Sequence, residues 1–181
     1  LKIYLGKMFV NPSLFNCPTA EIRVCGSQNL TYGSLTTKGL QQMAARISSY
    51  MRDESVHGFD LGCGDGELIY HLGLALHDSK WEGVEISEHR VRQQQRDVCI
   101  WQGNMLEENL RPYNVLHADN LCLEDDVAAA LEAKIAIEFQ GLYITYRSPM
   151  STVFRKCSVW LETAVIETTW TQHPIHFYMV Y

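Results

Sequence analysis

The stretch Phe59-Asp60-Leu61-Gly62-Cys63-Gly64-Asp65-Gly66-Glu67 constrains this chain more than any other. Apolar residues lead into it as into the end of a buried strand. Glycines at alternate positions allow a turn too tight for side chains, and Glu67-Leu68-Ile69-Tyr70-His71-Leu72 has the apolar spacing of a departing helix. A strand, a glycine turn and a helix in that order make a nucleotide cradle.

Charge selects the nucleotide. A pyrophosphate would sit on the backbone N–H groups at the helix N-terminus and be repelled by acids, yet Asp60, Asp65 and Glu67 crowd this turn. Carboxylates there suit a ligand carrying an ammonium and a sulfonium, as S-adenosylmethionine (SAM) does. About twenty residues on, Trp81-Glu82-Gly83-Val84-Glu85-Ile86 reads as a second strand whose Glu85 stands where an acid takes ribose hydroxyls. Glu85 fits adenosine from either SAM or NAD, and the acidic turn tips the choice to SAM, with S-adenosylhomocysteine (SAH) as its product. A glycine turn that binds nothing is the bland alternative.

With 181 residues and 46% hydrophobic content, the chain has material for one sizeable core. Its formal charge of -6 argues against a domain that grips bare nucleic acid through a basic face, and favours a basic polypeptide as partner. No apolar run approaches the roughly 18 residues that cross a bilayer, so no membrane partner and a soluble, intracellular protein are expected. The chain starts at Leu1 rather than Met, which leaves room for a targeting or docking tail outside it. Cys17, Cys25, Cys63, Cys99, Cys122 and Cys157 lack any close C-x-x-C pair and read as buried, reduced thiols. His173 and His176 are too sparse for a metal site, so no metal is expected, and His117 reads as a satisfied structural histidine.

In chain order, residues 1–30 carry turn signals, with Glu21-Ile22-Arg23-Val24 as a brief edge strand and little chemistry expected. The turn Tyr32-Gly33-Ser34-Leu35-Thr36 precedes a helix capped by Thr36 or Thr37, with Leu40, Met43, Ala44, Ile47 and Met51 on its buried face. That turn is either a lid over the cofactor or a plain connection. A helix from Ser87 to Arg96 follows the second strand, and Val98 to Trp101 forms the third. At its end, Asn104 and Met105 read either as adenine contacts or as a loop amide and a core methionine. Val115 to Ala118 is the fourth strand, with Asp119 and Asn120 at its carboxyl end, where a methyl acceptor would meet the cofactor. A helix from about Glu124 to Phe139, a fifth strand at Leu142 to Tyr146 and a terminal antiparallel hairpin over Val159 to Thr169 and Ile175 to Val180 complete the chain. The expected fold class is α/β, a seven-stranded Rossmann-like sheet, mostly parallel, ending in an antiparallel hairpin. It divides into an extension with the lid loop (1–35) and a catalytic domain (36–181).

The motifs Tyr32-Gly33, Asp60-Leu61-Gly62-Cys63-Gly64-Asp65-Gly66, Gly83-Val84-Glu85, Gly103-Asn104-Met105, Asp119-Asn120-Leu121-Cys122-Leu123 and Trp170-Thr171-Gln172-His173-Pro174 occur in the order seen in one family. From Tyr32 onward the sequence resembles the catalytic domain of the disruptor-of-telomeric-silencing (Dot-one) histone-lysine methyltransferases. The resemblance implies methyl transfer to a lysine on the folded core of histone H3 in nucleosomes, a nuclear location, and a nucleosome held either by DNA-binding segments outside this chain or through its histones. It makes Tyr32, Gly33, Ser34 and Leu35 the loop over the methionine part of SAM. Asp60, Gly62, Cys63, Gly64 and Glu67 become its cradle, Glu85 the ribose ligand, and Asn104 and Met105 the adenine neighbours. Leu123, Trp170 and Phe177 would wall the lysine channel, with Asp119 and Asn120 at the reacting centre. Ser34 stands where the better-known members have Glu, Glu67 where they have Gln, and Asp119 where they have the first Asn of a pair.

Transfer to an amine needs alignment and a neutral nitrogen. An apolar channel penalises the charged form, whereas an ionised Asp119 favours it. Asp119 is therefore expected to attract the cationic side chain, whose proton leaves to solvent before transfer. The rivals are a methyltransferase for RNA or a small molecule, a catalytically silent SAM-binding scaffold, and a dehydrogenase.

Overall fold

The computed structural model describes residues 11–52 and 54–181, so the first ten residues of the expected extension lie outside the described residues. A single 3-10 turn, Pro12–Phe15, precedes helices α1 (Thr19–Cys25) and α2 (Thr37–Tyr50). There follow β1 (Val56–Leu61), α3 (Glu67–Ala75), β2 (Ser79–Glu85), α4 (Glu88–Val91), β3 (Cys99–Gln102) and β4 (Val115–Ala118). The remainder is α5 (Asp125–Glu138), β5 (Gly141–Thr145), α6 (Thr152–Cys157), β6 (Ser158–Glu167) and β7 (Gln172–Val180).

The strands form one seven-stranded sheet in the order β3-β2-β1-β4-β5-β7-β6. Neighbours from β3 through β5 pair parallel, and β7 runs antiparallel to both β5 and β6. Hydrophobic burial on both faces makes three layers. On one face α2 and α3 bury Leu40, Met43, Ile47 and Leu72 against Val56, Val115, Ile144 and Phe177. On the other, α5 and α6 bury Leu131, Ile135 and Phe154 against Phe59, Leu116 and Tyr143. The chain reverses direction across the sheet between β1 and β4, and a crevice at the carboxyl ends of the strands there is the place for a ligand in sheets of this kind.

The expected sheet is the one observed. Differences lie in short pieces and in the cysteines, of which Cys63 alone is buried while Cys99 is exposed. Residues 21–24 belong to helix α1 rather than an edge strand: Pro18 sits at its N-cap and no α1 residue is buried. With Val24 85% exposed, α1 is secured by polar contacts instead of a core: Glu21 accepts from the Ser87 hydroxyl and the His89 amide. The helix after Ser87 stops at Val91 rather than Arg96, where Gln94 turns its amide onto the Arg96 and Val98 carbonyls. Helix α6, capped by Ser151, follows Pro149 where the sequence suggested only an ending.

Candidate functional site

The turn after β1 takes the tight form its glycines allow. Gly62 and Gly64 have φ of 96° and 60°, in the region that side chains disfavour. A Cβ on Gly64 would strike the Tyr32 ring at 2.6 Å, while the space over Gly62 is clear to 4 Å. The backbone is therefore covered on one side by Tyr32 and bare on the other.

That bare side is the floor of a cavity of about 390 Å³ whose lining includes Gly62, Val84, Glu85, Met105 and Asp119. Glu85 is buried, accepting from the Ser87 amide at 2.9 Å and the Gly64 amide at 3.0 Å. Burial pushes its carboxyl up, against the opposing pull of Arg90, whose guanidinium lies 3.7 Å away. The opposite wall comes from the extension: Val24, Cys25, Gly26, Asn29 and Thr31 all line this cavity, a role that their sequence did not announce. Arg90 fastens that wall. Buried itself, it donates to the carbonyls of Leu14 and Leu30 and lies 5.2 Å from the centre of the Tyr32 ring.

The Tyr32 to Leu35 turn is stitched over the crevice by the end of the hairpin. The Thr169 amide donates to the Ser34 carbonyl, Leu35 bridges Thr168, and the Thr36 amide donates to the Glu167 carbonyl. On the far side of Tyr32 and Gly33 lies a second cavity, of about 520 Å³, lined by Phe15, Leu121, Leu123, Asp119 and Trp170 among others. Asp119 and Leu123 border both cavities. Burial raises the Asp119 carboxyl above its ordinary value, with His117 and the Leu121 amide pulling the other way. A third, small cavity of about 30 Å³ lies beneath the turn, among Ser34, Cys63, Asp60, His117, Asp119 and Tyr146.

Several residues singled out in the sequence are engaged elsewhere. Phe177 does not wall a channel: alternation along β7 buries it with Ile175 in the core on the α2 side, near Tyr50. Asn120 borders none of the three cavities, because its buried Oδ1 accepts from the Thr145 hydroxyl and the amides of Tyr146 and Arg147. Glu67 faces Arg96 and His71 rather than the cradle; although burial works against its charge, those two partners hold its carboxyl below the ordinary value. Asp60 turns toward His117, with 2.7 Å between Oδ1 and Nδ1, and lines neither of the two larger cavities. Asn104 lines the cavity over Gly62, but its amide closes its own loop onto Leu106 and Glu107. His117 is only half satisfied: among the described residues, no group bonds to its buried Nε2.

No protein-family model matches the chain, and comparison with curated proteins finds no match. Solved structures do match. Magnesium protoporphyrin IX methyltransferase from Synechocystis PCC 6803 with bound SAM superposes with a TM-score of 0.60 at 16% identity, over 79% of this chain and 80% of that one. An RNA methyltransferase from Salinibacter ruber in complex with SAH gives 0.59 at 16% identity, over 80% of this chain and 92% of that one. The fold is that of the class I SAM-dependent methyltransferases.

The residues fit the cofactor which that fold class uses. Bare backbone at Gly62, the Glu85 carboxylate and the apolar Val84 and Met105 match an amino-acid moiety, a ribose and a base. The turn acids Asp60, Asp65 and Glu67 do not line this cavity, so the negative charge that faces a cationic donor comes from Asp119 and Glu124, with Glu85 paired to the Arg90 guanidinium.

Proposed function

We propose that this chain is a SAM-dependent N-methyltransferase whose acceptor is a lysine side chain, with histone H3 in the nucleosome as the substrate that the Dot-one resemblance implies. One observation carries the reading: two cavities, the more polar one backed by Glu85 and the more apolar one walled by Phe15, Leu121, Leu123 and Trp170, meet at Asp119. Adjacent donor and acceptor sites are what transfer between two bound partners requires.

SAM, when bound, would supply an electrophilic methyl group on a sulfonium, open to in-line attack by an amine lone pair. The chain's own part is placement. Glu85 takes the ribose, the strand-end backbone at Gly62 bears the amino-acid portion, and Tyr32 covers it. Asp119 draws in a cationic side chain, and the apolar walls at Leu123 and Trp170 exclude water and penalise the ammonium form. The acidic balance of the domain suits a basic polypeptide, and contact with nucleosomal DNA is assigned to segments other than this one.

A second reading, transfer to RNA or to a small molecule, is favoured by the breadth of the acceptor cavity, which at about 520 Å³ falls in the range of about 300–1,000 Å³ typical of small-molecule pockets. Titration calorimetry with SAM and SAH tests the donor site, and methyl transfer from labelled SAM to nucleosomes, RNA and porphyrin tests the acceptor. Binding of both cofactors with label on histone H3 is expected. Label on RNA or porphyrin alone favours the second reading, and absence of cofactor binding removes both.

A further inference from the structure

Asp60 of β1 and His117 of β4 are register partners on adjacent parallel strands, so their side chains leave the sheet on the same face. They meet at 2.7 Å, both almost wholly buried. An ionised carboxylate only accepts, so Nδ1 carries the proton of the neutral ring and Nε2 presents a lone pair. No group among the described residues bonds to that atom, though it is shut away from solvent. A buried acceptor of this kind calls for a partner that the described residues do not supply, and a water meets the need.

The ring lines the cavity of about 30 Å³ beneath the Tyr32 turn, together with Asp119 and Tyr146. A space of that size holds one water. Tyr32, Gly33 and Asp119 border this cavity and both larger ones, so it lies directly behind the place where donor and acceptor meet.

We propose that His117, held by Asp60, is the proton acceptor of the transfer, reached from the acceptor nitrogen past Asp119 through this water-sized cavity. The proposal rests on the methyltransferase reading above. An ammonium group drawn to Asp119 gives one proton, through a water in the cavity, to Nε2 of His117. The imidazolium so formed is stabilised by the Asp60 and Asp119 carboxylates. The neutral amine's lone pair then forms the N–C bond as the donor's S–C bond breaks, and that bonding pair stays on sulfur in the departing thioether. The product is a methylated ammonium, and His117 returns its proton to solvent when the site opens. Asp60 is a positioning residue: it fixes the tautomer. The other groups facing the ring are Tyr146 at the end of β5, edge-on at 5.6 Å, and Asp119. His173 of β7 stacks on Tyr146, and Tyr32 and Cys63 complete the cavity.

His117→Asn tests this, because the amide keeps an N–H for Asp60 and removes the base. With nucleosomes as acceptor, kcat is expected to fall about 100-fold and its low-pH limb to disappear, while calorimetric affinity for SAH stays within about twofold. A kcat within about threefold of wild type and an unchanged pH profile would overturn the proposal. The 15N spectrum of labelled wild-type protein with SAH gives a second readout, independent of turnover and of the variant's folding. Nδ1–H with a bare Nε2 is expected at high pH, and a proton on both nitrogens at low pH. A ring that keeps its proton on Nε2 throughout overturns the proposal even if the variant fails to fold or nucleosomes are not the acceptor. Wild-type protein that binds no SAH instead overturns the methyltransferase reading itself.

Discussion

Asp119 is an acid where burial opposes its charge, and that opposition has a measurable sign. Its folded-state pKa lies above the ordinary 3.8, so the folded protein holds this proton more tightly than the unfolded chain, and stability is lost as pH rises through that interval. Asp119→Asn is therefore expected to stabilise the protein at pH 8 by about 1 kcal/mol, or roughly 2–4 °C in Tm, and to leave it unchanged near pH 3, while lowering kcat/KM for a cationic acceptor. Thermal melts at the two pH values decide it. Glu67 has the opposite sign. Its pKa is depressed by Arg96 and His71, so its contribution is present above the ordinary 4.5 and lost as pH falls through the folded value. Glu67→Gln is expected to cost about 1 kcal/mol at pH 7 and nothing near pH 3 in urea titrations. At this scale the sequence is only partly legible. Glu85 was legible because strand end and spacing locate it, whereas the commitments of Asn120 and Asp60 depend on partners 25 and 57 positions away along the chain.

At the scale of elements, the carboxyl ends of β4 and β5 are joined by the Asn120 side chain, on which a hydroxyl and two amides converge. Asn120→Ala leaves those donors without their acceptor in a buried place and is expected to destabilise the protein by about 3 kcal/mol, read from chemical denaturation. Asn120→Asp keeps the acceptor and is expected to cost less. Helix α2 meets the hairpin at Gly39, where a Cβ would come within 1.9 Å of the Glu167 carbonyl oxygen. Backbone cannot swing aside as a side chain does, so Gly39→Ala is expected to cost about 3 kcal/mol and to loosen the Tyr32 turn that the hairpin anchors. Strands and long helices were legible because period and length both spoke for them. Helix α1 was not, since its Glu-Ile-Arg-Val core alternates like a strand and nothing in it is buried. Phe177 misled for a related reason: residue type suits a channel wall, but the parity of β7 decides which face it takes.

For the molecule as a whole, the sheet order and the position of the crevice follow from parallel βα units closed by an antiparallel pair, all readable from patterning. The extension's part in the site was not readable, because Val24, Cys25 and Asn29 acquire meaning only once folded against strands far along the chain. A ligand bridging both parts ties them together. SAH at about 100 times its Kd is expected to raise stability by about 2.7 kcal/mol, a Tm increase of roughly 5–10 °C in thermal-shift assays. Arg90→Lys should weaken that effect, since an ammonium cannot reach Glu85, Leu14, Leu30 and the Tyr32 ring as the planar guanidinium does. One buried guanidinium thus clasps the wall from the extension onto the floor from the sheet. Spent cofactor is expected to depart only as quickly as that clasp lets go, so the pace of successive turnovers would be kept by a residue that never meets the methyl group.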